Sequence, residues 1–378
     1  MKGKGLFRLL ALAFMIAIAV VIYKYYSINT AETMVHISHE PILLNKGDKI
    51  HFFKEGFAIS GSSTRFYRPN GTAMSSPIPE QADTIDQHII NMSTPNFMLI
   101  NGKSVYRTSS IPFEKLYELE DSSGHGIKEL GNYLIILIED TLVENTTGVL
   151  VPKLYDLKQN TISDIKDIES LYYMDSAFDS ESNCISILTL SLDSPFPSSK
   201  VFNYTNENGE TALFSFISAD KKSFFKILRI PYHVILVGSD EIICYNIDGT
   251  IQWSIENKKI KNCTILETNS GFMFYFPQPI DSNDGVFFNV LEINSDGTYN
   301  KLDFPENLYD LQPFENGFIG LRYGRNVLVL NRSGSIKQEY YVPEDIVSLY
   351  HSEYHRDYIY LVDRDNQLHI YSISKEDL

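Results

Sequence analysis

The chain has 378 residues, 43% hydrophobic and 21% charged, a globular rather than a disordered composition. Its formal charge of −16 is unevenly divided: residues 1–24 carry Lys2, Lys4, Arg8 and Lys24 and no acid, leaving 28 basic against 48 acidic residues in the rest. Such an acidic body argues against nucleic-acid binding, which needs Lys and Arg to neutralise phosphates, and against lying on anionic lipid.

The first element is "MKGKGLFRLLALAFMIAIAVVIYKYY". Leu9 to Tyr23 is uninterrupted apolar sequence, including Phe14, Ile16 and Val20. With Arg8 snorkelling, the run approaches the roughly 17 residues that a minimal span requires. Lys24, Tyr25 and Tyr26 follow it and suit a membrane interface. Asn29-Thr30-Ala31 is a poor cleavage site, so an uncleaved signal anchor is preferred over a cleaved signal peptide. Lys2, Lys4 and Arg8 then place the N-terminus in the cytoplasm and the body outside, in a single-pass cell-membrane protein. The expected organisation is a cytoplasmic tail and anchor over 1–26, a short linker over 27–33 and an extracytoplasmic domain over 34–378.

Met34 to Leu44, "MVHISHEPILL", is strand-like and belongs to no repeat unit. After it a cadence recurs: apolar run, turn, second run, tight Gly turn, third run. It is seen in "AISGSSTRFYRPNGTAMSSPI" (Ala58 to Ile78) and, weakly, from Asn96 to Ser110 and from Tyr133 to Ile165. An expanded copy, "CISILTLSLDSPFPSSKVFNYTNENGETALFSF", runs from Cys184 to Phe216. The clearest copy is "ILVGSDEIICYNIDGTIQWSI", Ile235 to Ile255. Two more follow, Asp284 to Leu302 and Gly320 to Val342, and a truncated one, "YIYLVDRDNQLHIYSI", ends the chain. The first-turn glycines include Gly61, Gly238 and Gly324; the second-turn glycines are Gly71, Gly209, Gly249, Gly297 and Gly334.

The gaps between successive second-turn glycines are 138, 40, 48 and 37 residues. The first is three times 46, so two weaker turns belong inside it, near Ser110 and Asn160. With the C-terminal copy this makes eight units, seven being the alternative. Four-stranded units at a period of 40–50 residues indicate an all-β fold, a β-propeller. Met34 to Leu44 is then expected to supply the outer strand of the incomplete last blade and close the ring.

"VGSDEIICYNIDGTIQW" resembles the PQQ-like and WD-type propeller repeats, in which a strand, an Asp-containing Gly turn and a terminal Trp recur. The resemblance is carried by Asp248, Gly249 and Trp253 in one blade and by cadence elsewhere. The general form also resembles membrane-anchored bacterial propellers and the propeller subunits that act as scaffolds in envelope assembly. Neither resemblance implies an activity or a cofactor.

The chemistry-bearing patterns are weak. His351-x-x-x-His355 and His36-x-x-His39-Glu40 fall in strand or loop, not on a helix that would aim each pair together. "DSNDG" at Asp281 to Gly285 lacks the calcium-loop Gly and Glu, and "DRDNQ" at Asp363 to Gln367 is likewise a polar turn. Cys184, Cys244 and Cys263 show no zinc spacing and are read as buried, unpaired thiols. No catalytic motif, metal site or cofactor site is assigned. The expected role is a non-enzymatic scaffold that binds a protein partner at the cell envelope. The alternative is a glycan- or small-ligand-binding or hydrolytic propeller using its central funnel.

Overall fold

The computed structural model describes residues 32–373 except 34, 38–39, 62, 78–86, 91–97, 102–103, 109–110, 119–123, 140–149, 166–167, 169–170, 193–194, 208–209, 269–270, 282–286, 306 and 324. Eight antiparallel meanders follow one another along the chain. Blade 1 comprises Lys49–Phe53, Gly56–Ser60, Arg65–Tyr67 and Ala73–Met74, and blade 2 comprises Gln87–Ile90, Met98–Asn101, Ser104–Arg107 and Glu114–Glu118. Blade 3 is Gly124–Leu130, Tyr133–Glu139, Leu150–Asp156 and Thr161–Asp164. Blade 4 is Tyr172–Asp179, Cys184–Ser191, Ser198–Glu207 and Glu210–Ala219. Blade 5 is Phe224–Ile230, His233–Gly238, Glu241–Asn246 and Ile251–Glu256. Blade 6 is Thr264–Thr268, Gly271–Asp281, Phe287–Asn294 and Tyr299–Leu302, and blade 7 is Leu308–Phe314, Gly317–Arg322, Asn326–Asn331 and Ile336–Tyr341. Blade 8 takes Ile346–His351, Tyr358–Asp363 and Gln367–Ser372 from the C-terminus.

The period-2 geometry of a strand explains why the sheets stack. Successive residues of a middle strand serve opposite neighbours: Ile187 packs against blade 3 and Leu188 against blade 5. Leu236 faces blade 4 and Val237 blade 6, and Phe274 and Tyr275 divide between blades 5 and 7 in the same way. Both faces are therefore apolar, so these strands read as continuous hydrophobic runs rather than alternating ones. Each fully buried Leu, Ile or Phe contributes about 1.5–3 kcal/mol. One hydrophobic cluster lies between every pair of neighbouring blades, the last joining Tyr360 and Ile370 of blade 8 to Phe57 and Ile59 of blade 1. The first strands of successive blades pack on one another, as Tyr172–Asp179 does on Phe224–Ile230, so they converge on the axis. The fold is an eight-bladed β-propeller, not a seven-bladed one.

In the clearest repeat, Ile235 to Ile255, the three runs are the second, third and fourth strands of blade 5, whereas Asp284 to Leu302 holds only the third and fourth strands of blade 6. The innermost strand of blade 5 is Phe224–Ile230, upstream of the stretch that carries the motif. Ring closure follows the expected route. Val35 and His36 pair with Ser372 and Tyr371, and Ile42 and Leu43 pair with Leu368 and Gln367. Glu32–Thr33 goes further and adds a parallel strand to the edge of blade 7, on Tyr340 and Tyr341. Across the seam the Tyr360 hydroxyl donates to the Pro69 carbonyl of blade 1 at 3.1 Å.

A meander puts its inter-blade connectors and second-to-third turns on one face, here the connector face. The remaining hairpin turns occupy the other. Backbone bonds tie the connector face together: Asn257 N donates to Asp240 O at 2.7 Å and Val342 N to Arg325 O at 2.9 Å. The anchor residues Leu9, Phe14, Ile16, Val20 and Tyr23 lie outside the described residues. Among the described residues no helix is long and apolar enough to cross a membrane.

Candidate interaction face

The repeat glycines turn out to be joints between blades. Gly71, Gly249, Gly297 and Gly334 all sit in third-to-fourth strand turns with φ between +79° and +87°, where a side chain is strained. In blades 5 and 6 an Asp closes the turn: Asp248 Oδ1 accepts from Thr250 N (2.9 Å) and Oγ1 (2.7 Å), and Asp296 does the same with Thr298. These bonds from Thr250 and Thr298 lower both carboxyl pKa values. The weak turn anticipated near Asn160 is present, with Asn160 at φ +56°, whereas Ser110, Gly209 and Gly324 lie outside the described residues. Gly61 lies in the second-to-third turn of blade 1, where an added Cβ would come within 1.9 Å of Asp48 Oδ1. Gly238 ends the second strand of blade 5 against Ser223 and Phe224. Trp253 docks on blade 6: Nε1 donates to the Gly297 carbonyl at 2.8 Å, and the ring meets Tyr299 edge-on. These residues are spread round the ring and define no common site.

The inner strands carry their own polar joints. Asp175 of blade 4 accepts from the Ile227 backbone of blade 5 at 3.1 Å and pairs with Lys128 (2.5 Å) and Lys226 (3.5 Å). Burial lowers the Lys128 pKa while Asp175 raises it. Asp310 of blade 7 likewise accepts from Leu349 N of blade 8 at 3.0 Å. Both carboxylates are committed to holding blades together. Arg229 is buried between blades 4 and 5, donating to Ser186 Oγ and Asn203 Oδ1 at 3.0 and 3.2 Å.

The connector face over blades 4 and 5 differs in character. Here the expanded repeat ends its second strand in a loop that exposes Leu192 (55%) and Phe196 (59%). That loop is fixed at its base: Lys221 N donates to Ser198 Oγ at 3.0 Å and Phe224 N to Ser199 Oγ at 2.9 Å. Tyr172, Met174 and Phe225, at the starts of the inner strands, are exposed at the same end. Beside them lies a cleft of about 610 Å³ whose charged lining balances, Lys221, Lys222 and Lys258 against Asp240, Glu241 and Glu256. Lys222 pairs with Glu241 at 2.6 Å. Residues 220–261 hold seven basic and five acidic residues, in a chain that holds 32 and 48. An apolar knob rimmed by charged side chains has the anatomy of a protein-binding surface. Sequence reading missed it, although the Pro-Phe-Pro insertion in the expanded repeat was its signal.

The three cysteines are unpaired. Cys184 and Cys244 are buried in blades 4 and 5, and Cys263 is half-buried after the connector. His351 ends the inner strand of blade 8 and donates through Nδ1 to Pro313 O at 3.0 Å. His355 sits in the short helix Glu353–His355, its Nδ1 2.9 Å from the Tyr360 hydroxyl. His36 packs edge-on against Tyr371, and His39 lies outside the described residues. "DRDNQ" forms the second-to-third turn of blade 8, with Asp363 Oδ1 accepting from Asp365 N and Gln367 N. Among the described residues no group of three or more His, Cys, Asp or Glu is placed to hold a metal.

No protein-family model matches the chain, and neither does any curated protein. Among solved structures it is similar to the computationally designed Ika8 protein at a TM-score of 0.50 and 10% identity, covering 91% of this chain and 98% of that one. BamB from Moraxella catarrhalis matches at a TM-score of 0.45 and 11% identity, over 90% of this chain and all of BamB. Identities this low speak to fold alone. The class is therefore defined by architecture, an eight-bladed propeller closed by its own N-terminal strand.

Proposed function

We propose that this protein is a non-enzymatic propeller scaffold that binds a protein partner through the connector face of blades 4 and 5. The single observation that carries the reading is the exposed pair Leu192 and Phe196 beside a cleft lined by charged side chains of both signs. Burying two such side chains at an interface core removes apolar surface from water, and the charged rim supplies orientation. The apolar N-terminal run with its flanking Lys2, Lys4 and Arg8 supports placing this scaffold at the outer side of a cell membrane.

A photo-reactive amino acid at position 196, with position 232 on the opposite face as control, tests the reading in cells. One protein cross-linked from position 196 and not from 232 supports it. Equal or absent cross-linking at both, while an established complex is captured in parallel, overturns it.

The reading of the funnel as a glycan or hydrolytic site receives less support. The inner-strand carboxylates Asp175 and Asp310 each accept from a backbone N–H of the next blade, a structural role rather than a free acid or base.

A further inference from the structure

One buried cation lacks a counter-ion. Arg229, next to last in the inner strand of blade 5, is 6% exposed and reaches into the seam with blade 4. Its guanidinium carries five N–H donors in a fixed plane. Nη1 spends its two on Ser186 Oγ at 3.0 Å and Asn203 Oδ1 at 3.2 Å. Those acceptors are themselves fixed. Ser186 and Asn203 are fully buried, Ser186 Oγ donates to Asn203 Oδ1 at 2.6 Å, and Asn203 Nδ2 donates to Ser215 Oγ at 2.9 Å. The guanidinium is therefore held in one orientation. Nε is buried with no hydrogen-bond partner, and among the described residues none bonds Nη2. These two nitrogens share the edge that takes two parallel acceptors.

Other sheltered cations in the molecule face carboxylates. Lys128 meets Asp175 at 2.5 Å, and Arg322 meets Glu339 at 2.9 Å. Among the described residues no carboxylate forms an ion pair with Arg229. Burial lowers the Arg229 pKa, and Cys184 and Asp179 oppose that. Neither neutralises the charge. Burial raises the Cys184 thiol, which stays protonated at neutral pH. The Asp179 oxygens accept from Glu181 N at 3.0 Å and Ser182 Oγ at 2.5 Å. A buried guanidinium is costly unless an anion completes its hydrogen bonds.

We infer that the seam between blades 4 and 5 binds a small carboxylate on the Nε–Nη2 edge of Arg229. Two coplanar oxygens match that edge, and one negative charge matches one guanidinium. A phosphate dianion would bring surplus charge toward Asp179. Arg229 stands one residue before the Ile230–His233 turn, where Tyr232 is 70% exposed. Its own residual exposure suits a small solute rather than a macromolecule. This site and the connector face lie at opposite ends of the seam.

The melting temperature of the purified full-length chain, read against sodium acetate and sodium formate with sodium chloride holding ionic strength constant, tests this. A ligand that binds only the folded state raises it, by about 4 °C at a hundredfold excess over the dissociation constant for a domain of this size. Arg229→Met, which replaces an unpaired buried charge by an apolar chain, is expected to fold and to lose the carboxylate response. Should it unfold, a wild-type crystal grown in bromoacetate is the second measurement, with a bromine anomalous peak expected beside Arg229. No rise over chloride in wild type, an equal rise in the folded variant, or a crystal with only water on the free edge of Arg229 overturns the inference. A larger rise with phosphate than with acetate overturns it in favour of an inorganic anion.

Discussion

The indole Nε1 of Trp253 in blade 5 donates to the carbonyl of Gly297 in blade 6 at 2.8 Å. The donor lies on an outer strand and the acceptor at the tip of the next blade's last turn, so one bond fixes the spacing of two blades. Trp253→Phe keeps a ring against Tyr299 but leaves that carbonyl without the indole donor. The expected loss is about 1 kcal/mol, read as a lower denaturant midpoint with an unchanged slope. A midpoint equal to wild type sinks the idea that this bond is a joint.

Gly297 and Gly249 have nearly the same φ, +79° and +87°, but different surroundings. A Cβ at Gly297 would lie 2.6 Å from Gln252 Oε1 and 2.7 Å from His233 Nε2, whereas at Gly249 the nearest atom is 3.8 Å away. Ala at position 249 should cost only the left-handed backbone penalty, about 1–2 kcal/mol. Ala at position 297 should cost more, because Gln252 and His233 must also move. Equal losses in parallel thermal melts would show that packing round the turn is slack.

Asp175 is the shared acceptor of Ile227 N, Lys128 and Lys226. Asp175→Ala strands a buried backbone donor and a largely buried ammonium. Removing one member of such a group costs roughly 3–5 kcal/mol. Hydrogen exchange should rise first in the inner strands of blades 4 and 5. Exchange that rises evenly round the ring argues against a local joint.

Burial lowers the pKa of His351 to about 4 and, with the nearby Lys49 charge, that of His51 to about 4. Unfolded, both titrate near 6.5. Between these values the unfolded chain binds more protons, so stability is complete above pH 6.5 and falls as pH drops toward 4. The two together should cost on the order of 1–3 kcal/mol by pH 4.5, allowing for partial solvent screening. His351→Gln should flatten the acid side of a melting-temperature profile. A variant profile parallel to wild type assigns the acid sensitivity to other groups.

Burial raises the thiol pKa of all three cysteines, to about 12 at Cys244 and about 11 at Cys263. Few thiolates then exist at pH 8. A thiol reagent should react slowly with the native chain and release three equivalents on unfolding without reductant. Fewer than three equivalents would reveal a disulfide that this arrangement excludes.

Sequence alone carried the architecture, because a propeller repeats one solution. The turn at Asp248-Gly249 needs a left-handed residue and a side-chain acceptor, so its chemistry recurs at Asp296-Gly297 and is visible in one dimension. The apolar strand runs record burial on both faces, and the missing outer strand of blade 8 implied closure by residues 34–44. Hidden from sequence were the inner strands, where residues such as Asp175 and Lys226 answer to neighbouring blades instead of a local pattern. Hidden too was the connector face, since Leu192, Phe196 and the Lys221–Lys222 cleft lie far enough apart in the chain that only stacking of blades 4 and 5 assembles them. Turn chemistry is local, so the order of residues determined the ring. A binding face is a sum over neighbouring blades, and only tertiary packing decided which side chains it exposes.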